Sequence, residues 1–161
     1  MAVVLAALLA SIPAFSVTAH ALPATRAFTG TWVLDPARSV LYRGTGAGGR
    51  ELVVVDEPSA LHVTVLTPDS KHQYTVVADK YAVATDGKPH EERIPGEGVY
   101  VRTLRREGDE LVFQITFTRS ADKASISYTE RWSLSEEGRT LTVYTAYPGG
   151  RDVMKVFARK D

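Results

Sequence analysis

The sequence predicts an all-β domain: an antiparallel up-and-down β-barrel of about eight to ten strands, with a two-sheet β-sandwich as the alternative. Three observations carry that expectation. Apolar and polar residues alternate with a period of two, most clearly where Leu111, Phe113, Ile115 and Phe117 oppose Val112, Gln114, Thr116 and Thr118. The β-rich runs are joined by short connections built on Gly, Pro, Asp and Ser, so successive runs should pair antiparallel. Beyond the first two dozen residues, no segment long enough for an amphipathic helix shows a clean 3.6-residue period.

The elements follow in order. The stretch Met1–Ala24 carries no charged side chain, Val3–Ala10 is almost wholly apolar, and the run ends at Ala19-His20-Ala21. This A-x-A pattern suits the shallow pockets of a signal peptidase, so residues 1–21 read as a secretory signal cut after Ala21. A membrane anchor would need about 20 strongly apolar residues, and Ser11, Pro13, Ser16, Thr18 and His20 interrupt this one. Residues 22–161 then form a single domain, secreted or periplasmic, with no membrane span. Phe28–Leu34 is the first strand, and Asp35-Pro36-Ala37-Arg38-Ser39 is expected as a one-turn helix capped by Asp35. Arg50–Asp56 and Leu61–Thr67 flank Glu57-Pro58-Ser59-Ala60. Gln73–Thr85 is a longer strand ending at the hairpin dipeptide Asp86-Gly87. Pro89, Pro95, Gly96 and Gly98 mark Lys88–Gly98 as irregular. Five further runs follow: Val99–Arg106, Glu110–Thr118, Ala124–Leu134, Arg139–Tyr147 and Arg151–Arg159. Closing so many hairpin-linked strands into a barrel removes the exposed edges that an open sheet would present.

Composition excludes several classes of function. The 161 residues include nineteen Lys or Arg and nineteen Asp or Glu, giving a formal charge of zero, with 44% hydrophobic residues and no Cys. Without Cys there is no disulfide scaffold, thiolate metal site or cysteine nucleophile. Asn is absent as well, which removes every N-glycosylation acceptor. The balanced charge provides no electrostatic footprint for nucleic acid.

Phe28-Thr29-Gly30-Thr31-Trp32, at the head of the first strand, resembles the G-x-W opening of lipocalins and related calycin barrels. The longer string Gly30–Ser39 looks like the opening of bacterial secreted lipocalin-like proteins of largely unassigned function. The later string Arg131–Thr142 is similar to their Arg-Ser-acidic-Gly-Leu-Thr segment. The resemblance implies a barrel whose closed end is plugged by Trp32 beneath an Arg from a late strand. Arg131 and Arg159 are the candidates, and Arg131 is preferred because it lies in the family-like string. Gly30, Trp32 and Arg131 are thus the expected closure. The chain departs from lipocalins in lacking their Cys pairs and a long C-terminal helix.

Few residues point to chemistry. Gly44-Thr45-Gly46-Ala47-Gly48-Gly49 matches G-x-G-x-x-G formally, but a strand follows it where a dinucleotide site needs a helix N-terminus, so it reads as a loop. His62, His72 and His90 form neither H-x-H nor H-E-x-x-H and read as surface histidines; no metal site is expected. Nor is there a G-x-S-x-G elbow or a motif for haem, flavin or copper, so no catalytic residue and no cofactor are assigned. Arg102, Arg105 and Arg106 cluster on one strand but are followed at once by Glu107, Asp109 and Glu110.

Glu130 is the most informative polar residue. It shares the inward parity of Tyr128 and Trp132, and an inward carboxylate must be paired, hydrogen-bonded or protonated. A bulge turning it outward, or an ion pair with Arg102, are the structural alternatives. The expected function is binding of a small, mostly apolar or amphipathic molecule inside the barrel. Leu111, Phe113, Ile115, Phe117, Tyr128 and Trp132 would line the site, with Glu130 as a polar anchor. The alternatives are a fully packed barrel serving as an envelope interaction module, and a small enzyme using the inward carboxyl. The chain is expected as a monomer or weak homo-oligomer.

Overall fold

The computed structural model describes residues 28–41, 50–71 and 73–161. The expected leader (1–21), the Gly-rich stretch 44–49 and His72 lie outside the described residues. Ten strands follow one another: β1 (Gly30–Leu34), β2 (Glu51–Asp56), β3 (Ala60–Pro68), β4 (Tyr74–Ala84), β5 (His90–Ile94), β6 (Gly98–Glu107), β7 (Glu110–Arg119), β8 (Ser125–Leu134), β9 (Thr140–Ala146) and β10 (Val153–Lys160). They form one antiparallel sheet in the order β4-β3-β2-β1-β10-β9-β8-β7-β6-β5. The first strand therefore lies mid-sheet, paired to both β2 and β10. The sheet curls into a nearly closed barrel, and no helix occurs among the described residues.

Several expectations need correction. Residues Asp35–Ser39 form a turn and not a helix. The capping bonds are made, since Asp35 Oδ1 accepts from the backbone N–H of Ala37 and Arg38 at 3.1 and 3.3 Å. Ser39 N–H closes the turn on Pro36 O (3.4 Å), but Val40 N–H bonds Met154 O across to β10, so the chain goes on along the barrel wall and not into a helix. The second correction concerns Lys88–Gly98, where β5 forms between Pro89 and Pro95. It pairs only with β6, and an edge strand tolerates flanking prolines because one of its faces needs no ladder bonds.

The expected hairpin at Asp86-Gly87 is absent in a related way. β4 and β5 are consecutive, yet they are the two sheet edges and do not pair. Gly87 N–H instead donates to Leu104 O of β6 at 3.1 Å, which ties the β4–β5 turn to the strand beyond.

On β4, β6, β8 and β10 the inward row includes polar residues beyond the apolar core. At one end Val54, Leu61, Val83, Leu104, Leu111, Leu141 and Phe157 pack around Trp32 as a continuous core. Toward the other end the same inward rows continue through Tyr81 and Asp79 on β4, Arg102 and Tyr100 on β6, Glu130 and Tyr128 on β8, and Lys155 on β10. The period of two sets which face each side chain takes, and position along the strand sets whether it joins the floor or the mouth.

The floor is closed as the resemblance implied, with a different arginine. Trp32 is fully buried, and its Nε1–H donates to Phe28 O at 3.0 Å. The cation above the ring is Arg159, whose guanidinium carbon lies 4.4 Å from the ring centroid. Arg159 also donates to Gly138 O (2.9 Å) and Thr29 O (3.0 Å), drawing three chain segments together. Arg131, the preferred candidate, points outward and pairs with Glu107 and Glu110 at 3.1 and 2.9 Å. The reason is parity. Arg131 neighbours the inward Trp132 on β8, whereas Arg159 stands directly opposite Trp32 in the β1–β10 register. Gly30 leaves the space this needs, since a Cβ there would approach Arg159 Nη1 to 3.0 Å.

Candidate functional site

Above the floor the inward residues enclose a cavity of about 410 Å³. Its apolar wall includes Leu52, Val65, Ile115, Trp132, Val143 and Phe157. Four tyrosines (81, 100, 128 and 147) and the charged residues Arg50, Asp79, Arg102, Glu130 and Lys155 complete it. These come from β2, β3, β4, β6, β7, β8, β9 and β10 or, for Arg50 and Tyr147, from residues next to β2 and β9, so the cavity faces strands from around the barrel.

Arg102 organises one side. It is 4% exposed, with its guanidinium 4.4 Å from the Tyr81 centroid and 4.2 Å from the Tyr100 centroid, and it pairs with Glu92. Tyr81 belongs to β4, Glu92 to β5 and Tyr100 to β6. One guanidinium thus joins the two sheet edges that no backbone ladder joins. A planar cation suits this position because it stacks on aromatic faces while its edge binds a carboxylate.

Glu130 faces the cavity from β8, two strands along the sheet from Arg102. Its Oε2 accepts from Trp132 Nε1 at 3.2 Å, and its Oε1 accepts from Thr145 Oγ1 at 3.2 Å. Neither of the structural alternatives applies: the strand keeps its parity at Glu130, and Arg102 is engaged by Glu92. Tyr128, one inward step away, has its hydroxyl pushed well up, first by burial and then by the Glu130 charge. Burial likewise raises the hydroxyls of Tyr81, Tyr100 and Tyr147, so all four remain neutral donors at ordinary pH.

No family model matches the sequence, and no curated protein matches it. Solved structures do share its shape. The REP1-NXSQ fatty acid transporter superposes with a TM-score of 0.58 at 9% identity, over 83% of this chain and 96% of its own. Fatty-acid-binding protein 1 of Echinococcus granulosus gives 0.55 at 11% identity, over 83% and 98%. Secretory abundant heat soluble protein 4 of Ramazzottius varieornatus gives 0.57 at 12% identity, over 83% and 95%. The fold is a lipocalin-like β-barrel. At such identities the likeness is one of fold.

Of the residues expected to line a site in this barrel, Ile115, Tyr128, Glu130 and Trp132 border the cavity. Leu111 and Phe113 are buried in the core instead, Phe113 with its ring 5.3 Å from that of Trp132. Phe117 stacks on Tyr100 at 4.5 Å. Sequence reasoning missed Arg50, Tyr81, Tyr147, Asp79 and Lys155. Lys155 was open to the same parity rule as Glu130, because it shares the parity of the inward Val153 and Phe157. His62 and His90 lie against Glu57 (3.6 Å) and Asp86 (3.0 Å), and no metal-binding cluster occurs among the described residues.

Burial pushes the Asp79 carboxyl above its ordinary 3.8, with Arg102 pulling in the opposite direction. An acid with a raised folded-state value holds its proton more tightly when folded. Its contribution to folding stability therefore falls as pH rises from the ordinary value through the raised one, and no penalty operates below both. Asp79→Asn is expected to be more stable than wild type at neutral pH, with the difference closing as pH falls toward the ordinary carboxylate range. Thermal unfolding of both proteins across that pH series measures it; a variant less stable at neutral pH contradicts it.

Proposed function

We propose that the protein binds one small, mostly apolar molecule with a polar end in the interior of the barrel, and that it does so outside the cytoplasm. The observation that carries this reading is the cavity. A fully packed interaction module leaves no interior space, whereas about 410 Å³ lies within the size range of small-molecule sites. The wall at Ile115, Trp132, Val143 and Phe157 suits the apolar part of such a ligand. The tyrosine hydroxyls and charged groups suit its polar end. Barrels of this fold include a fatty acid transporter and a fatty-acid-binding protein, which favours the same class of ligand here. For compartment, the support is the uncharged apolar leader ending at Ala19-His20-Ala21.

Titration with dansyl-undecanoic acid tests the binding. The expected result is saturable, blue-shifted fluorescence with one probe per chain. Val143→Trp, which places an indole in the cavity, should weaken binding by about tenfold or more, equivalent to about 1.4 kcal/mol. Absence of saturable binding, or an unchanged affinity in a folded Val143→Trp protein, overturns the reading. Expression of the full chain in a secreting bacterium tests the compartment: the mature protein should begin at Leu22, and an intact leader on cytoplasmic protein overturns that part.

A further inference from the structure

We propose that Lys155 is a covalent attachment point within the cavity, forming a reversible imine with an amphipathic aldehyde. The inference rests on the reading of the cavity as a ligand site and names the ligand's reactive group. Lys155 faces the cavity from β10, between the inward Val153 and Phe157. Among the described residues no partner lies within hydrogen-bond or ion-pair distance of its Nζ. Lys160, on the same strand, shows the contrast: its Nζ is 3.0 Å from Glu51. Burial holds the Lys155 ammonium below its ordinary value, and the Arg50 charge acts in the same direction. The free amine, which is the nucleophile, is thereby favoured. Glu130 opposes both effects; the register sets it opposite Thr145, which is itself opposite Val153, one inward step from Lys155, and it is fixed in place by Trp132 and Thr145.

The reaction balances with an aldehyde alone. The Nζ lone pair attacks the carbonyl carbon, and the C=O π electrons pass to oxygen to form a carbinolamine. Proton transfer from nitrogen to oxygen lets the oxygen depart as water while the C=N bond forms. A proton taken up on the imine nitrogen restores a positive charge at the position that Glu130 already faces. The phenols of Tyr128 and Tyr147 line the same cavity as neutral donors. The apolar wall at Ile115, Val143 and Trp132 would hold the aldehyde's chain and exclude the water that reverses the condensation.

Incubation of the full chain with decanal, followed by borohydride reduction, tests the proposal. Intact mass should rise by one decyl group, and peptide mapping should place it on Lys155 at a rate about tenfold above Lys71, Lys80, Lys88, Lys123 and Lys160. Lys155→Arg, which keeps the charge and cannot form an imine, should lose that adduct. Equal labelling of all lysines overturns the proposal, and because this is read in the wild-type protein it stands even where the variant fails to fold. Displacement of dansyl-undecanoic acid by decanol, run in parallel on wild type, separates the two readings. Displacement by decanol without a Lys155 adduct overturns the imine alone, whereas no binding by either compound overturns the ligand site with it.

Discussion

Trp32→Ala is expected to destabilise the barrel by about 3–5 kcal/mol, the usual cost of truncating a fully buried Trp. Three losses combine at one position. The indole is completely buried at the centre of the floor, so its removal leaves a void bordered by strands from both halves of the sheet. Its Nε1–H no longer reaches Phe28 O, leaving that buried acceptor unsatisfied. Arg159 loses the ring it covers, while its bonds to Gly138 O and Thr29 O remain. Against a domain stability of about 5–15 kcal/mol, this is enough to leave the variant largely unfolded near physiological temperature. Trp32→Phe should cost less, since it keeps an aromatic face under Arg159 and loses chiefly the hydrogen bond. Urea unfolding of the three proteins checks the order; a Trp32→Ala protein within about 1 kcal/mol of wild type would show that the floor is not packed as described.

The second large effect is expected at Arg102. Arg102→Met keeps much of the side-chain volume but removes the cation shared by Tyr81, Tyr100 and Glu92. Breaking a buried ion pair by removing one partner commonly costs about 3–5 kcal/mol. Glu92 is partly exposed and regains water, so a loss of about 2 kcal/mol is expected here. The location of the effect is as diagnostic as its size. Because β4 and β5 are not paired to one another, amide hydrogen exchange should quicken in β4 and β5 and hardly change in β1 and β10. Uniform quickening across all strands would mean that Arg102 is an ordinary core residue with no particular part in closure.

The sequence made the alternation legible because each inward row of β7, β8 and β9 is interrupted by residues of opposite character. Glu130 was recognisable as inward for that reason, standing between Tyr128 and Trp132 at matching parity. Arg131 lies in the family-like string, yet its parity is that of the outward Ser133, which turns it away from Trp32 and onto Glu107 and Glu110. The register that sets Arg159 opposite Trp32 joins strands near opposite ends of the chain, and no local pattern encodes such a pairing. The cavity's polar half was hidden for a similar reason. Tyr81, Arg102 and Lys155 each look like single interruptions of a strand, and only closure of the barrel brings them to one space. The break between β4 and β5 was concealed by Asp86-Gly87, a dipeptide that favours a hairpin locally but here sends its amide to β6.

The central claim is that the inward surface above Trp32 receives a ligand. Methyl-resolved NMR during titration with dansyl-undecanoic acid tests it most directly, because cavity and outward methyls are distinguishable on the same strands. Shifts should concentrate on Leu52, Val65, Ile115 and Val143, which border the cavity, and spare Val33 and Val55, which alternate with inward neighbours. Shifts at Val33 and Val55 with Ile115 and Val143 unmoved would place the ligand on the outer surface and contradict the account.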